Sequence, residues 1–554
     1  VGEALERGSI ELIDIDDESP ERGTRVPLRF HIFDGGAVYV PDHTLALRPM
    51  HPLRSGTRYA AVVKRSLTPS LTLDTEPAFD AAVVAGAEPR AREAGQALAA
   101  LGHPPKSLAG LTSFVTQDAE TTTRRFFEGI GSAAPRILTV AREPALDRPA
   151  FEAYVGYYCT PNYQTELERA PWVEHPGGTI AEDAEGRPQP SAVPPTSRYH
   201  TAACGDQLRA RFSLAVPRSS PPGPLPLLVY AHGTLGDALT VLARRGFADL
   251  ATAAGYVVAS TDQPLHGGDD RTSARPGSDV RIKPRIGPFP LPIPGAKDGL
   301  PAAMAFYNFL HPSTLRDNMR QAAADQSLLA RTLLAANWSR LGLSALSLRK
   351  TYVAAGHSQG APSAALVGAY DPRVEGVLVS ACTGDFSTNA VSRGDVRRGA
   401  GLIAPLLGID ADELNPFHPF ATAVQMLFDP VDPQSTGRLY RTGRPRSVLA
   451  VMGQRDSMVV EAAADAFAGA LGLTPVGAPT PPSFPRLAAR PSQPQVKANA
   501  AGGRATFGAL VLSPAGPEGH FVAFENGRGR QTMREFLREL AVGPPPPAIR
   551  WPAR

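Results

Sequence analysis

The sequence has few cysteines and no long apolar run. Only 3 of its 554 residues are cysteine, at Cys159, Cys204 and Cys382. No two of them have the CxxC spacing that is typical of zinc and redox sites, which argues against both. No run of about 18 apolar residues occurs, which excludes a transmembrane helix. With 43% hydrophobic and 20% charged residues, the composition indicates a globular protein and not low-complexity disorder.

Charge of one sign is not in excess either. The 56 basic and 53 acidic residues give a net charge of +3 and are spread along the chain without a basic block. Nucleic acids and anionic membranes are bound by clustered positive charge, so neither is an expected partner. The length exceeds the size at which a single hydrophobic core stops growing, which predicts two domains.

Cys159 and Cys204 flank a stretch rich in proline and glycine. A disulfide between them would close this loop and would indicate an oxidising, extracytoplasmic compartment, whereas the alternative is two separate buried thiols. The chain begins Val1-Gly2-Glu3 without a signal-peptide hydrophobic region, which suits a processed mature protein or a trimmed chain. We expect a secreted, periplasmic or surface-attached protein, and a cytoplasmic location is the alternative.

Residues 1–140 predict a small β-rich, sandwich-like domain. Two amphipathic stretches, Glu88–Leu101 and Asp118–Ile130, add a short helical element to it. The β-like runs are separated by turns rich in proline, glycine and aspartate, and they lie at Val26–Phe33, Ala37–Val40 and Arg58–Val63.

Residues 141–554 predict an α/β domain, because apolar strands alternate there with turns and helices. Thr314–Ala336 is the longest predicted helix. Long insertions in compact domains are commonly functional, and three interrupt this pattern, at 265–312, 383–446 and 473–505. The predicted strands are uniformly apolar, as parallel strands buried on both faces are: Leu225–Ala231, Tyr256–Thr261, Thr351–Ala355, Val374–Ser380 and Ser447–Met452.

The segment Gly356-His357-Ser358-Gln359-Gly360 lies between a predicted strand and a predicted helix. This arrangement is typical of a nucleophile elbow, a tight turn that holds its central serine in a strained backbone conformation. Gly356 and Gly360 fit because a Cβ at either position would collide with neighbouring backbone. Ser358 is therefore the predicted nucleophile, and the alternative is a purely structural turn.

A serine nucleophile needs a base and an acid that orients the base. In this architecture the order along the chain is serine, acid, histidine. Asp456 follows a buried strand and is the predicted acid, while Asp385, after the preceding strand, is the alternative, although a loop or helix-capping role suits it better. His520 lies in a polar turn before the last predicted helix and is the predicted base.

The oxyanion hole is predicted to combine two backbone N–H groups. One belongs to Gln359, and the other to the loop after the first long strand of the α/β domain. Thr234 is the candidate for the second donor and Leu235 the alternative. Gly233 allows the loop to turn tightly against the site, and we expect His232 to be a structural histidine that holds this loop.

Two further features lie at the same predicted sheet edge. Asp262 and His266 follow the strand Tyr256–Thr261, and we expect them to support the loops and not to catalyse. The insertion that follows contains the apolar, proline-rich segment Ile286–Pro294. Ligands bind at this edge of α/β sheets, so one interpretation is that the segment lines the acyl pocket. The equal alternative is that it only packs its own loop.

From about Tyr154 to the C-terminus the chain resembles large bacterial α/β-hydrolases of the lipase and esterase kind. These include proteins whose N-terminal β domain resembles that of bacterial virulence-factor lipases. The matching segments are VYAHGTLGD, ASTDQPLHG, FLHPSTLRDNMRQAAAD, AAGHSQGAPSAAL and PEGHFVAF. The resemblance implies an α/β-hydrolase fold and a triad of Ser358, Asp456 and His520, with an oxyanion donor near Thr234. In such hydrolases the position of 383–446 often carries a lid.

These residues predict acyl transfer. His520 would take the proton of Ser358 as the hydroxyl attacks an ester carbonyl, and water would later release the acyl-enzyme. No metal or organic cofactor is required. Small-molecule acyl esters, lipids and polyester chains all fit as substrates, and a thioesterase or peptidase is the alternative enzyme. A catalytically silent binding or adhesion protein is the alternative of another class, and the oligomeric state is open.

Overall fold

The chain divides into two compact units. The first comprises Val1–Thr121 and Arg397–Met426, and the second Thr122–Val396 and Leu427–Arg554. Part of the insertion predicted at 383–446 therefore belongs to the first unit. The computed structural model describes residues 1–35, 38–133, 135–219, 222–267, 275–282, 285–286 and 289–290 (backbone only), 299–308, 311–394, 404, 408–410 and 413–552.

The first unit contains antiparallel strands and helix. Its strands are β1 (Ile10–Asp14), β2 (Arg25–Val26), β3 (Leu28–Phe33), β4 (Thr44–Pro49), β5 (Arg58–Lys64), β6 (Ser66–Thr68), β7 (Leu71–Thr72) and β8 (Leu108–Val115). Four of them form a sheet in the order β2-β1-β5-β8. The apolar face of this sheet packs against the helix Pro89–Ala100 through Leu98, which contacts a cluster containing Ile13 and Val62. Helix thus covers the face where a sandwich would place a second sheet.

Two expectations for this unit differ from the structure. The strand predicted at Val26–Phe33 is interrupted at Pro27, since proline has no N–H to donate to a neighbouring strand. The β-like run predicted at Ala37–Val40 is not a strand, because Val38 and Tyr39 lie in a turn, while Ala37 lies outside the described residues. The sequence analysis missed Ile10–Asp14 because acidic residues interrupt its apolar pattern. Glu11 is nevertheless buried there, paired with Arg25 at 2.7 Å.

The second unit contains sixteen described strands, ten of which form one large sheet. Its strands are β9 (Arg136–Arg142), β10 (Phe151–Thr160), β11 (Leu208–Pro217), β12 (Leu225–Ala231), β13 (Val257–Thr261), β14 (Arg281–Ile282), β15 (Arg285–Ile286), β16 (Phe289–Pro290), β17 (Leu300–Pro301), β18 (Leu348–His357), β19 (Val374–Ser380), β20 (Ser447–Gly453), β21 (Thr474–Pro475), β22 (Gln495–Lys497), β23 (Phe507–Leu512) and β24 (Ala548–Arg550). The order in the sheet is β21-β23-β20-β19-β18-β12-β13-β11-β10-β9. From β13 to β21 neighbouring strands are parallel, whereas β11, β10 and β9 form an antiparallel edge.

Helices flank this sheet, and the strands at its centre are buried along their whole length, as β12 and β20 illustrate. The helices of the described residues are α1 (Gly2–Glu6), α2 (Pro77–Phe79), α3 (Pro89–Ala100), α4 (Ala119–Ile130), α5 (Phe247–Thr252), α6 (Pro312–Ala335), α7 (Gly360–Tyr370), α8 (Phe386–Ser392), α9 (Pro419–Phe428), α10 (Gly437–Thr442), α11 (Glu461–Leu471), α12 (Pro485–Ala488), α13 (Val522–Glu525) and α14 (Gly527–Val542). None of the helices in the described part of the chain has both the length and the apolar character needed to cross a bilayer.

The predicted fold class is confirmed. A mostly parallel sheet is flanked by helices, a sharp turn joins the central strand β18 to α7, and smaller antiparallel sheets lie in the N-terminal part of the chain. The second unit thus has the α/β-hydrolase fold. The long strands β10 and β11 were not predicted. These antiparallel strands mix polar and apolar residues and so lack the uniformly apolar pattern of the parallel strands.

A disulfide closes a long loop beside α6. Cys159 and Cys204 are bonded across a separation of 45 residues. Within the loop, the Tyr163 N–H donates to the side chain of Gln321 at 2.9 Å, and the Ile180 N–H donates to Asp317 at 2.9 Å. Both acceptors belong to α6, of whose 24 residues 18 are buried. The loop therefore covers the face of this helix that carries polar side chains.

Candidate active site

The turn between β18 and α7 holds Ser358 in a left-handed backbone conformation, with φ +55°. A Cβ on Gly356 would overlap the carbonyl oxygen of Gly360, and one on Gly360 would overlap that of Ala231 on the neighbouring strand. In both cases the obstacle is backbone, which cannot move aside. The local geometry is that of a nucleophile elbow.

Ser358, His520 and Asp456 form a continuous hydrogen-bonded chain. The distance from Ser358 Oγ to His520 Nε2 is 2.8 Å, and His520 Nδ1 lies 2.9 and 3.0 Å from the two oxygens of Asp456. An ionised carboxylate can only accept, so Nδ1 carries the imidazole proton and Nε2 is free to accept from the serine hydroxyl. With exposed fractions of 7% for Asp456 and 5% for His520, both side chains are largely shielded from water.

Main-chain groups hold Asp456 in place after β20. Its Oδ1 accepts the N–H of Met458 at 2.9 Å and that of Val459 at 2.8 Å. Asp385, the alternative acid, lies instead at the N-terminus of α8, where its carboxylate accepts the Thr388 N–H at 3.2 Å. Of the two candidates, Asp456 is the one hydrogen-bonded to His520.

Glu518 links the loop of the acid to the loop of the histidine, and the sequence analysis missed it. Its Oε1 accepts the His520 N–H at 2.8 Å, and its Oε2 accepts the Ser457 hydroxyl at 2.5 Å. Burial alone would raise the pKa of Glu518, but hydrogen bonds from Ser457 and the His520 N–H lower it below its usual value. The signal was its position two residues before the predicted base.

The same two loops meet through glycines. A Cβ on Gly519 would overlap the carbonyl oxygen of Gln454, and one on Gly453 would overlap the carbonyl oxygen of Gly519. The loops are therefore in direct main-chain contact, and only glycine allows this approach.

The loop after β12 packs directly against the elbow. A Cβ on Gly233 would lie 3.3 Å from the Cβ of Ser358, so the glycine allows the close approach. In the described part of the chain, the backbone N–H groups of Thr234 and Gln359 donate to no other protein group. Two main-chain N–H groups beside Ser358 are thus without a protein acceptor among the described residues.

His232 anchors this loop, as expected. Its Nδ1 is 2.9 Å from the Gly233 carbonyl oxygen, and its Nε2 accepts the N–H of Gln263 at 3.1 Å. Burial lowers the pKa of His232, which keeps Nε2 unprotonated and able to accept. Gln263, at the end of β13, was not singled out from the sequence.

Asp262 and His266 lie behind the site as scaffolding. Asp262 binds Arg211 at 3.0 and 3.1 Å and accepts the Ala238 N–H at 2.8 Å. His266 Nδ1 is 2.8 Å from the Pro264 carbonyl oxygen. Burial, with a smaller contribution from His232, lowers the pKa of His266 to about 3.

His357 packs behind the proposed base. Its ring centroid is 4.8 Å from that of His520 and also 4.8 Å from that of Phe524, and its Nδ1 is 3.2 Å from Ser380 Oγ. Burial and the neighbouring His520 together lower the pKa of His357 well below its usual value. A neutral ring therefore packs against His520.

Apolar side chains are exposed beside the site. Leu235, Met458 and Phe521 are 62%, 42% and 50% exposed, and each lies within two residues of a predicted site residue. The side chains of Ile286–Pro294 lie outside the described residues, so the role of that segment stays a prediction. Among the described residues, no group of three or more His, Cys, Asp and Glu side chains is arranged to hold a metal ion.

No protein-family model matches the sequence, and no curated protein matches it. Solved structures do match the fold at low identity. Acetyl xylan esterase 1 from Thermoanaerobacterium sp. JW/SL YS485 is 15% identical over 76% of this chain and 93% of its own, with a TM-score of 0.40. The S-formylglutathione hydrolase from Agrobacterium tumefaciens is 12% identical over 72% and 97%, with a TM-score of 0.33. Esterase B from Lactobacillus rhamnosis is 15% identical over 62% and 83%, with a TM-score of 0.32.

Proposed function

We propose that the protein is a serine hydrolase that cleaves carboxylic esters through an acyl-enzyme. The observation that carries this proposal is the hydrogen-bonded chain from Ser358 through His520 to Asp456, with the serine on a strained turn. Each member has a partner with the required donor or acceptor character, at a distance typical of a hydrogen bond.

The chemistry follows from these contacts. Ser358 Oγ attacks the ester carbonyl while its proton passes to His520 Nε2, and Asp456 stabilises the imidazolium that forms. The negative charge on the carbonyl oxygen is stabilised by the N–H groups of Thr234 and Gln359. The leaving alcohol takes the proton from Nε2 as the C–O bond breaks. Water, activated by the same histidine, then releases the acid and restores Ser358.

The apolar side chains beside the site support an ester with an apolar acyl or alcohol part. Leu235, Met458 and Phe521 offer exposed hydrocarbon within two residues of Thr234, Asp456 and His520. Lipids, small-molecule acyl esters and polyester chains meet this description. The Cys159–Cys204 disulfide supports an extracytoplasmic location, because such bonds persist in oxidising compartments.

Ser358→Ala tests the proposal directly. We expect it to abolish hydrolysis of p-nitrophenyl esters and labelling by a fluorophosphonate probe, while the melting temperature stays within a few degrees. Ser339, an exposed serine in the helical turn Trp338–Leu341, gives the matched control, and Ser339→Ala should be labelled like the wild type. Activity of Ser358→Ala within tenfold of wild type would contradict the assignment.

The alternative functions separate in the same assay. A thioesterase would process the matched thioester faster than the ester with the same acyl group, and a peptidase would also turn over the matched amide, which an esterase would leave almost untouched. A silent binding protein would neither react with the probe nor turn over any of the three. Esters of increasing chain length then measure the acyl preference.

A further inference from the structure

Side-chain contacts connect the elbow to the loop that follows β12, residues 232–236, which we name the oxyanion loop after its proposed role. Thr234 Oγ1 lies 3.1 Å from Gln359 Oε1, and Gln359 Nε2 lies 3.2 Å from Gln263 Oε1. The Nε2 of Gln263 in turn donates to the carbonyl oxygen of His232. At the other end, the hydroxyl of Tyr307 is 3.5 Å from Thr234 Oγ1. Five residues thus form one chain of contacts.

A single main-chain carbonyl fixes the direction of this chain. The His232 carbonyl can only accept, so Gln263 must present its NH₂ group to it and its carbonyl oxygen to Gln359. Gln359 then donates its own NH₂ to Gln263 and presents Oε1 to Thr234. The hydroxyl of Thr234 has one proton, for which Gln359 Oε1 at 3.1 Å is the nearer acceptor and the Tyr307 oxygen at 3.5 Å the more distant one.

The electrostatic environment keeps both ends of this chain uncharged. Burial raises the pKa of Tyr307, so its hydroxyl stays protonated. The pKa of His232 is lowered by burial, so its Nε2 stays an acceptor for the Gln263 N–H. Gln263 is therefore anchored to His232 twice, once by its main chain and once by its side chain.

The chain closes into a ring around the site. Starting at His232, the main chain runs through Gly233 to Thr234, and hydrogen bonds lead back through Gln359 and Gln263 to His232. His232, Gln263 and Gln359 are buried and follow three adjacent strands, β12, β13 and β18. Two members, Thr234 and Gln359, carry the proposed oxyanion donors.

We infer that the side chains of Gln263 and Gln359 are positioning residues, which set the separation of the two oxyanion donors through a one-way hydrogen-bond chain that runs from Thr234 to the His232 carbonyl, with Tyr307 in contact with its outer end. This inference rests on the proposed ester hydrolysis and adds to it residues that do not touch the substrate. Because Tyr307 lies in the insertion 265–312, that insertion contacts the oxyanion loop directly.

The expected effect lies in the transition state. Removing one oxyanion donor typically lowers kcat by about 10²–10³-fold, and a misplacement of about 1 Å can cost about 10²-fold. Loss of the ring displaces the donors without deleting them. We therefore expect Gln263→Met, which keeps the volume and removes the amide, to lower kcat by about 10–100-fold with little change in KM. Gln263→Glu, which cannot donate to the His232 carbonyl when ionised, should act in the same direction.

A tetrahedral inhibitor separates positioning from packing. An alkyl boronic acid forms a tetrahedral adduct on an activated serine, so its inhibition constant should rise in proportion to the loss of kcat/KM in both Gln263 variants. Tyr307→Phe removes only the outermost and longest contact, and we expect a loss of about 2–5-fold in both quantities.

Gln326 provides the matched control. It is also a buried glutamine, and its Nε2 donates to the carbonyl oxygens of Val229 at 2.8 Å and Ala355 at 3.0 Å, on β12 and β18 below the site. Gln326→Met should lower the melting temperature but leave kcat and the inhibition constant close to wild type.

The outcomes are distinct. A wild-type protein that neither hydrolyses esters nor reacts with the fluorophosphonate overturns the proposed function and this inference together. A wild-type esterase whose Gln263→Met variant keeps its kcat and its boronic-acid affinity overturns only the inference. The inference alone is also overturned if Gln326→Met weakens boronic-acid binding as much as Gln263→Met does. A parallel loss confined to the Gln263 and Tyr307 variants supports it.

Discussion

The two sides of the candidate site are held together by different kinds of contact. On one side, which we name the acid–base side after its proposed role, Asp456 and His520 are fixed by main-chain N–H groups, by Glu518 and by glycines that bring two loops into backbone contact. On the other, which we name the oxyanion side after its proposed role, side-chain amides from the ends of separate strands hold the loop of Thr234 against the elbow.

The difference shows where tolerance to substitution should lie. Backbone contacts cannot relax, so a methyl group added between the acid and histidine loops has no space to occupy. Side-chain contacts can rearrange at a cost set by the hydrogen bonds they lose, about 0.5–1.5 kcal/mol each and more when a buried partner is left unsatisfied. The acid–base side should therefore respond to added volume, and the oxyanion side to lost polarity.

The largest loss of activity should come from substitutions of the two side chains His520 and Asp456. We expect His520→Ala and Asp456→Asn each to lower kcat by about 10⁴-fold, because members of such a triad act as a unit. Asp385→Asn is the matched control, since asparagine can still cap α8, and it should remain close to wild type. A severe loss in Asp385→Asn with a mild one in Asp456→Asn would assign the acid to the other carboxylate.

A pair of glycine substitutions compares the two sides directly. Gly519→Ala would drive a methyl group into the carbonyl of Gln454, and we expect about a 10²-fold loss of kcat together with a lower melting temperature. Gly233→Ala would meet the Cβ of Ser358 at 3.3 Å, which needs only a small shift, and we expect a loss of about tenfold. Steady-state kinetics and thermal unfolding measure both losses. A larger loss in Gly233→Ala than in Gly519→Ala would contradict the expected difference between the two sides.

Glu518 tests whether the acid–base side depends on this carboxylate. Glu518→Ala removes the acceptor for the His520 N–H and for Ser457, and we expect kcat to fall about tenfold with KM unchanged. Glu518→Gln keeps one acceptor oxygen and should restore most of the activity. Equal losses in both variants would mean that the negative charge matters and the hydrogen bonds do not.

Acid should lower the free energy of unfolding through the buried His266, which lies behind the candidate site. The pKa of His266 is lowered from 6.5 to about 3 by burial, so between these values the unfolded chain binds a proton that the folded chain does not. Stability is therefore complete above about pH 6.5 and is lost as pH falls toward about 3, by at most about 1.4 kcal/mol per pH unit for one histidine. Urea unfolding at pH 7, 6 and 5 should show this slope, and His266→Asn should reduce it by the share of one histidine, since His232 and His357 also have lowered pKa values.

The sequence was most informative where a function depends on neighbouring residues. The glycines around Ser358 and the strand before Asp456 are local, and the structure brings Ser358, Asp456 and His520 within hydrogen-bond distance, while their catalytic roles stay predictions. Gln263 lies within the segment ASTDQPLHG, but its partner Gln359 lies 96 positions away, so sequence spacing does not reveal their contact.

The parts of the fold that were missed have the same cause. β10 and β11 mix polar and apolar residues because they lie at an antiparallel edge, so a search for uniformly apolar strands passes over them. Ile10–Asp14 contains two buried acids, of which Glu11 is paired with Arg25 and Asp14 accepts the Ser19 hydroxyl. In each case the burial of a polar side chain is decided by a distant partner.

The disulfide-closed loop over α6 has a consequence for the exchange of backbone amide protons with solvent. Because the loop covers the polar face of this helix, its amides should exchange only when the loop detaches or the whole unit unfolds. Reduction of Cys159–Cys204 leaves the hydrogen bonds to Asp317 and Gln321 in place but releases the ends of the loop. Deuterium uptake along α6 should then rise under reducing conditions well before activity is lost. The redox state of this disulfide would in this way determine how often the backbone amides of α6 become accessible to solvent.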